Sequence, residues 1–267
     1  MRESALVVHD LRMATFRSDD GVEIYYEVRE GGDGERPPVL LHHGFIADGR
    51  TNWELPGIVA ALTGAGRRVV TIDARGHGRS GKPHDPGRYG ESRMAEDVRA
   101  LLDLLGATEV DLAGYSMGAI VALLTATRDT RVRRLVIGGV GAAVVELGGL
   151  DTRVVGGESL IRALRTDDPS TIGDPAAAGF RAFVEAVGGD RLALAAHAAA
   201  VHAAPIPLAT ITAPTLVLAG GSDPLAVRPE VLTAAIPGAV LRTVPGDHLS
   251  ALRDPAFTPA LLEFLNA

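Results

Sequence analysis

Five short, largely apolar runs, at residues 39–41, 69–72, 110–113, 135–137 and 215–219, recur along the chain without the polar alternation of a half-exposed strand, and a further strand is expected at 240–244. A strand can be apolar on successive residues only where both of its faces are covered. Neighbouring strands that run in the same direction need a crossover segment, which can supply that cover. The intervening segments have the right character. Residues 91–105 place Met94, Val98, Leu101, Leu102 and Leu105 on one helical face and end at Gly106. Residues 51–65 read as a helix closed by glycine, residues 117–128 as a buried helix rich in Ala, Leu, Ile and Val, and further helices are expected near 229–236 and from Pro255 onward. The order βαβα predicts a mostly parallel sheet with helices on both faces. Ahead of it, the runs at 15–17 and 22–28 flank the turn signal "SDDG" and are expected to form a hairpin.

Residues 141–205 interrupt this rhythm. They are rich in Ala, Arg and Gly, lack a strand-like run, and contain helix-like segments, among them "LALAAHAAAVHAA". The expected organisation is an α/β core of residues 1–140 and 206–267 with a helical insertion at 141–205. A chain of 267 residues can bury such a core without staples.

Composition removes several classes of chemistry. Cysteine is absent, which excludes disulfides, a thiolate nucleophile and cysteine-ligated metal. The 33 acidic and 26 basic residues are interspersed and leave a net charge of −7, so no basic face is available for nucleic acid or anionic lipid. Lys82 is the single lysine and lies in the loop-like "RSGKPHDPG", where a solvated side chain is expected rather than a Schiff base. The apolar run at residues 5–8 is too short for a signal-peptide core or a membrane span, which makes a cytoplasmic location the default expectation. No glycine-rich stretch matches a dinucleotide or P-loop fingerprint, so no cofactor is expected.

In an open α/β sheet the functional groups gather at the carboxyl ends of the strands. The run at 110–113 leads into "GYSMG", with Ser116 between two glycines where a strand hands over to a helix. That junction forces a strained turn that small neighbours must leave free of clashes. The run at 215–219 leads into "GGSDP" with Asp223, and the run at 240–244 into "PGDH" with His248. A serine hydroxyl is a weak nucleophile. His248 would accept its proton and return it to the leaving group, while Asp223 would orient the imidazole and stabilise its cation. The backbone N–H of Met117, directly after the serine, is the expected donor to a developing oxyanion.

Each residue also has a plain alternative. Ser116 can be a small residue in a tight turn, His248 a surface histidine, and Asp223 a helix cap. Asp247 is the rival acid, disfavoured because adjacent side chains on an extended segment point apart. His42, His43, His197 and His202 invite a metal reading. Adjacent histidines seldom converge on one ion, and a spacing of five separates side chains around a helix, so no metal is expected. His77 in "RGHG" reads as loop architecture.

Taken together, "HHGF", "DARGHGRS", "GYSMG", "GGSDP" and "GDH" resemble the α/β-hydrolase superfamily over nearly the whole chain. The resemblance implies an eight-stranded, mostly parallel sheet with an inserted helical cap. It implies the N–H of Phe45, after His43 and Gly44, as the second oxyanion donor. Members that open epoxides or remove halide use a carboxylate at the position of Ser116. The former also draw on cap tyrosines, and none of the four tyrosines here lies in 141–205; the latter pair two tryptophans, and only Trp53 is present. The expected activity is hydrolysis of a small carboxylic ester through an acyl-enzyme. Lactone, thioester or carbon–carbon bond hydrolysis, or cofactor-free perhydrolysis, remain alternatives, and a ligand receptor without turnover is a further class. Leu160, Ile161, Leu164, Phe180, Phe183 and Val187 of the insertion could line a substrate pocket or form the insertion's own core. The oligomeric state is open.

Overall fold

The computed structural model describes residues 11–32, 35–154 and 157–267; the apolar run at 5–8 and residues 33–34 of the "GGDGERPP" stretch lie outside them. Eight strands form one sheet: β1 (Leu11–Arg17), β2 (Glu23–Arg29), β3 (Val39–His42), β4 (Val69–Ile72), β5 (Val110–Tyr115), β6 (Val132–Gly138), β7 (Thr215–Gly220) and β8 (Val240–Val244). Their spatial order is β1-β2-β4-β3-β5-β6-β7-β8. The hairpin β1–β2 joins β4 antiparallel, and all later pairings are parallel.

The apolar runs are unbroken because the sheet is covered on both sides. Alternate residues of one strand enter different cores. Leu40, Val70, Leu112, Ile137 and Val217 face the core built with α2 (Glu91–Leu104) and α3 (Met117–Ala126). Leu41, Val69, Ala113, Val136 and Leu218 face the core built with Trp53, α1 (Ile58–Gly64) and α9 (Phe257–Asn266). Every residue of β3, β4, β5 and β7 is buried, whereas β8, at the sheet edge, exposes most of its length. At the amino ends of the strands, buried Asp111 receives Arg67 and, at 2.6 Å, Arg133; Arg67 also donates to the carbonyl of Leu265, which ties α9 to the sheet.

Two helical expectations need correction. Residues 51–65 are not one helix: a wide turn over Arg50–Glu54 is followed by Pro56 and by Gly57 at φ 84°, and only then does α1 begin. Proline offers no donor to a preceding turn and a left-handed residue reverses the chain, so continuous helix is impossible there. The stretch "LALAAHAAAVHAA" is helical only as far as Ala198, where α7 (Arg191–Ala198) ends; the N–H of His202 donates instead to Glu91 Oε2 at 2.6 Å.

Between β6 and β7 the described residues contain α4 (Ala143–Leu147), α5 (Gly157–Arg165), α6 (Pro175–Ala186) and α7. Leu164, Val184, Leu194 and Ala195 form a separate buried cluster, with Leu160 and Phe180 packed against it. Arg181, nearly fully buried, binds the segment together by donating to the carbonyls of Ala163 and Thr166, both at 2.7 Å. α8 (Pro229–Ala235) completes the helices of the core.

Candidate active site

Ser116 sits where β5 meets α3, at φ 56° and ψ −117°. This backbone region is costly for any residue with a side chain and persists where the surroundings enforce it. The enforcement is visible at the flanking glycines. A Cβ on Gly114 would stand 2.0 Å from the carbonyl oxygen of Gly118, and one on Gly118 would stand 2.2 Å from that of His42. Both positions therefore exclude every other residue, and α3 packs directly against the end of β3. The N–H of Ser116 donates to the Gly138 carbonyl at 2.8 Å, which fixes the turn to the neighbouring strand.

The three residues read from separate strand ends come together. His248 Nε2 lies 3.0 Å from Ser116 Oγ, and His248 Nδ1 lies 2.8 Å from Asp223 Oδ2. A carboxylate accepts only, so Nδ1 carries the hydrogen, and Nε2 presents its lone pair to the serine hydroxyl. The Asp223 side chain is fully buried and that of His248 is 20 % exposed. The second oxygen of Asp223 accepts from the N–H of Leu225 at 2.8 Å. That bond closes the local turn after β7; Asp223 does not cap the next helix, which begins at Pro229 after Arg228.

Asp247 is occupied elsewhere. Its Oδ1 accepts from the N–H of Leu249 at 3.0 Å, the N–H of Ser250 at 2.8 Å and the Ser250 hydroxyl at 2.6 Å. These bonds hold its carboxyl below the ordinary carboxylate range, and it closes the turn that carries His248. Tyr115 was not singled out by sequence. Its hydroxyl donates to the His248 carbonyl at 2.8 Å, and its ring lies 5.2 Å from the imidazole. A tyrosine in a fully buried strand needs a partner for its hydroxyl, and that requirement is the only signal the sequence offered.

Met117 directly follows the serine, and Phe45 directly follows Gly44, which lies against it. Neither backbone N–H has a hydrogen-bond partner among the described residues. Gly44 approaches so closely that a Cβ there would lie 3.2 Å from Ser116 Cβ, and its N–H donates to Asn52 Oδ1 at 3.0 Å. Asp73 takes the N–H groups of Gly49 at 2.9 Å and Arg79 at 2.8 Å, which joins the loop after β3 to the loop after β4.

The histidines form a group that sequence reasoning did not anticipate. His42, His43 and His77 make successive ring contacts, with centroids 5.5 and 5.2 Å apart, and His197 of α7 meets His77 at 5.7 Å. His43 donates through Nδ1 to the Gly44 carbonyl at 2.8 Å and accepts from Ala74 N–H through Nε2 at 2.9 Å, an arrangement open only to the neutral ring. Burial, reinforced by the neighbouring imidazole, pushes His42 down to about 3; burial also lowers His43 and holds His77 well below its usual value. His77 keeps its expected loop role by donating to the Arg75 carbonyl at 3.0 Å. Among the described residues no three His, Asp or Glu side chains are arranged to hold a metal ion.

Of the six apolar positions considered for a pocket, Leu164 is fully buried in the segment's own core, while Phe183 is 41 % and Val187 46 % exposed. Leu164 is therefore core and not lining. A cavity of about 620 Å³, bordered by Pro37, Pro38, Arg68 and Leu104, lies at the amino ends of the strands and touches none of the site residues.

A family profile described as alpha/beta hydrolase fold matches residues 37–140. A crystal structure of a hydrolase from Pseudomonas aeruginosa PA01 is 31 % identical, with 96 % of this chain and 99 % of that chain covered at a TM-score of 0.77. The enol-lactonase from Burkholderia xenovorans LB400 is 25 % identical, with 95 % and 100 % covered at a TM-score of 0.78. Among curated proteins, the sn-1-specific diacylglycerol lipase ABHD11 of Mus musculus is 39 % identical over 107 residues, 40 % of this chain and 33 % of that protein. The chain matches only about a third of that relative's length.

Proposed function

Because the chain belongs to the α/β-hydrolase superfamily, we propose that it is a serine hydrolase that cleaves a small carboxylic ester through an acyl-enzyme on Ser116. The observation that carries this reading is the continuous bonding from Ser116 Oγ through both ring nitrogens of His248 to a buried carboxylate, with the serine on a strained strand-to-helix turn.

The hydroxyl oxygen attacks the acyl carbon while its proton passes to His248 Nε2. The carbonyl π pair becomes an oxyanion that accepts from the N–H groups of Phe45 and Met117. Collapse of this intermediate breaks the bond to the alcohol oxygen, which takes the proton from Nε2 and leaves. A water molecule then attacks the acyl carbon, gives its proton to Nε2, and the acid departs as Ser116 recovers its hydrogen. Asp223 stays ionised throughout, because its work is to hold the Nδ1–H tautomer and to balance the imidazolium.

The helical segment at 141–205 is proposed to cap this site, with residues 1–140 and 206–267 as the core. Exposed apolar side chains on the elements that carry Asp223 and His248, Val227 at 51 % and Leu249 at 60 %, support an apolar acyl or alcohol group. The names of the relatives, a diacylglycerol lipase and an enol-lactonase, keep open-chain esters and lactones as the two substrate forms to compare. Turnover should be measured on p-nitrophenyl esters of increasing acyl length beside lactones and thioesters. Ester hydrolysis exceeding the others is the expected result; faster lactone opening would shift the substrate class, and no turnover of any acyl compound would contradict the reading.

A further inference from the structure

Ile46 stands at φ 70°. This left-handed region is a genuine outlier for a β-branched side chain, and it persists only where packing over-determines it. Its side chain is buried among Leu164 of α5, Val184 of α6, and Leu194 and Ala195 of α7, all from the segment between β6 and β7. The preceding residue is gripped from the same side. The Phe45 ring meets His197 of α7 edge-on at 5.3 Å and His77 at 5.7 Å. His197 is itself stacked on Tyr89 at 5.8 Å, and its Nε2 lies 3.4 Å from Glu91 Oε1.

The loop after β3 is thus held by two bodies. Gly44 and Gly49 are bonded to Asn52 and Asp73. Phe45 and Ile46, between them, are held by the helical segment. With both loop ends fixed, relaxation of Ile46 to a negative φ must be compensated by rotations at its neighbours, and Phe45 is the first of these.

We propose that Ile46 and His197 are positioning residues through which the helical segment sets the aim of the Phe45 N–H at the substrate oxyanion. The proposal rests on the serine-hydrolase reading above and gives the segment a part in the chemical step, beyond the admission of substrate. Loosening its grip on the loop therefore lowers kcat, while the binding of a short ester, which makes few contacts with the segment, changes little.

The test uses p-nitrophenyl acetate together with a methyl trifluoromethyl ketone. In the ketone adduct Ser116 Oγ bonds to the carbonyl carbon, the serine proton moves to His248, and the former carbonyl oxygen becomes an alkoxide facing the two N–H groups. Its affinity reports the oxyanion site without a leaving group. Deleting an oxyanion donor outright costs roughly 10²–10³ in kcat. Misaiming one should cost less, so His197→Ala is expected to lower kcat by about 10-fold or more, with KM little changed and ketone affinity reduced by a similar factor. His197→Phe, which preserves the ring against Phe45, should restore most of the loss. Ile46→Ala should lower kcat more than Ile46→Gly, because glycine occupies φ 70° without strain and alanine does not. Stability follows the same ranking, because alanine is strained at φ 70° whatever the residue's role, so the discriminating readout is a loss of kcat and ketone affinity at unchanged KM in protein that remains folded. Unchanged kcat and ketone affinity in both His197→Ala and Ile46→Ala, with Ser116 still labelled by a fluorophosphonate, would overturn the proposal alone. Absence of labelling at Ser116 in the unsubstituted protein would overturn the serine reading and this proposal with it.

Discussion

The two sides of Ser116 are built by different means. On one side, the turn that carries the serine and the loops that carry Asp223 and His248 are closed by local chemistry. Two glycines leave no room for a Cβ, a short turn is capped by Asp247, and strand-to-strand bonds fix the rest. On the other side, the loop bearing Phe45 is held by the neighbouring His43 and by residues from three distant stretches: His77 after β4, Tyr89 and Glu91 before and at the start of α2, and His197 of α7. The first side tolerates few substitutions, because its turns are closed by close contacts and bonds at the strand ends. The second is sensitive to anything that moves the helical segment or charges the histidines.

The largest effect that separates the two sides is expected at the acid. Asp223→Asn should lower kcat by on the order of 10⁴, since an amide can hold the imidazole in the wrong tautomer. Asp247→Asn should cost far less, because its carboxyl faces the turn N–H groups and not the imidazole. Steady-state kinetics on both variants check this; a reversed ranking would mean that the turn and the relay have exchanged roles.

The next effect belongs to the histidine side and is read in stability. His42, His43 and His77 all have folded-state values lowered by burial, so the unfolded chain binds more protons as pH drops below about 6.5. Their contribution is fully present above that pH and is lost as pH falls toward the folded values. The expected slope approaches about 1.4 kcal/mol per pH unit for each such histidine. Urea unfolding at several pH values between neutrality and pH 5 should show this loss, and His77→Gln should flatten it by about one histidine's share. An unchanged slope in that variant would mean that His77 is charged or solvated in the folded protein.

The smallest effect is at Tyr115. Tyr115→Phe removes one neutral hydrogen bond to the His248 carbonyl, worth about 1 kcal/mol, and leaves the ring packing in place. A modest loss of stability with nearly intact kcat is expected from melting curves and steady-state assays. A loss of kcat comparable to that of Asp223→Asn would show that the tyrosine, and not the local turn, keeps His248 in place.

The same division explains what the sequence disclosed. Strands covered on both faces must be apolar at consecutive positions, so 39–41, 69–72 and 110–113 announced themselves, and "GYSMG" carried its own steric reason. Ser116, Asp223 and His248 could be placed because each directly follows a strand. The Pro56–Gly57 pair is a readable turn signal within residues 51–65 and accounts for the break before α1. Other features had no local signature. Nothing about an isoleucine indicates φ 70°, because that conformation is imposed by residues from α5, α6 and α7. The ring contact between Phe45 and His197 likewise depends on how α7 docks. Leu164 could be read equally as core or as pocket wall, since burial against the segment and burial against substrate leave the same mark on a sequence.

The most direct measurement of the central claim is the intact mass and esterase rate of the protein before and after exposure to a fluorophosphonate, for the unsubstituted chain and for Ser116→Ala. The account predicts one phosphonyl group per unsubstituted chain, located on the peptide that contains Ser116, with loss of activity in step with labelling. Ser116→Ala should take up no label, keep its fold by circular dichroism, and lose turnover by several orders of magnitude, on the scale of removing a triad nucleophile. Labelling of Ser116→Ala at the same rate, or ester turnover close to that of the unsubstituted protein, would contradict it.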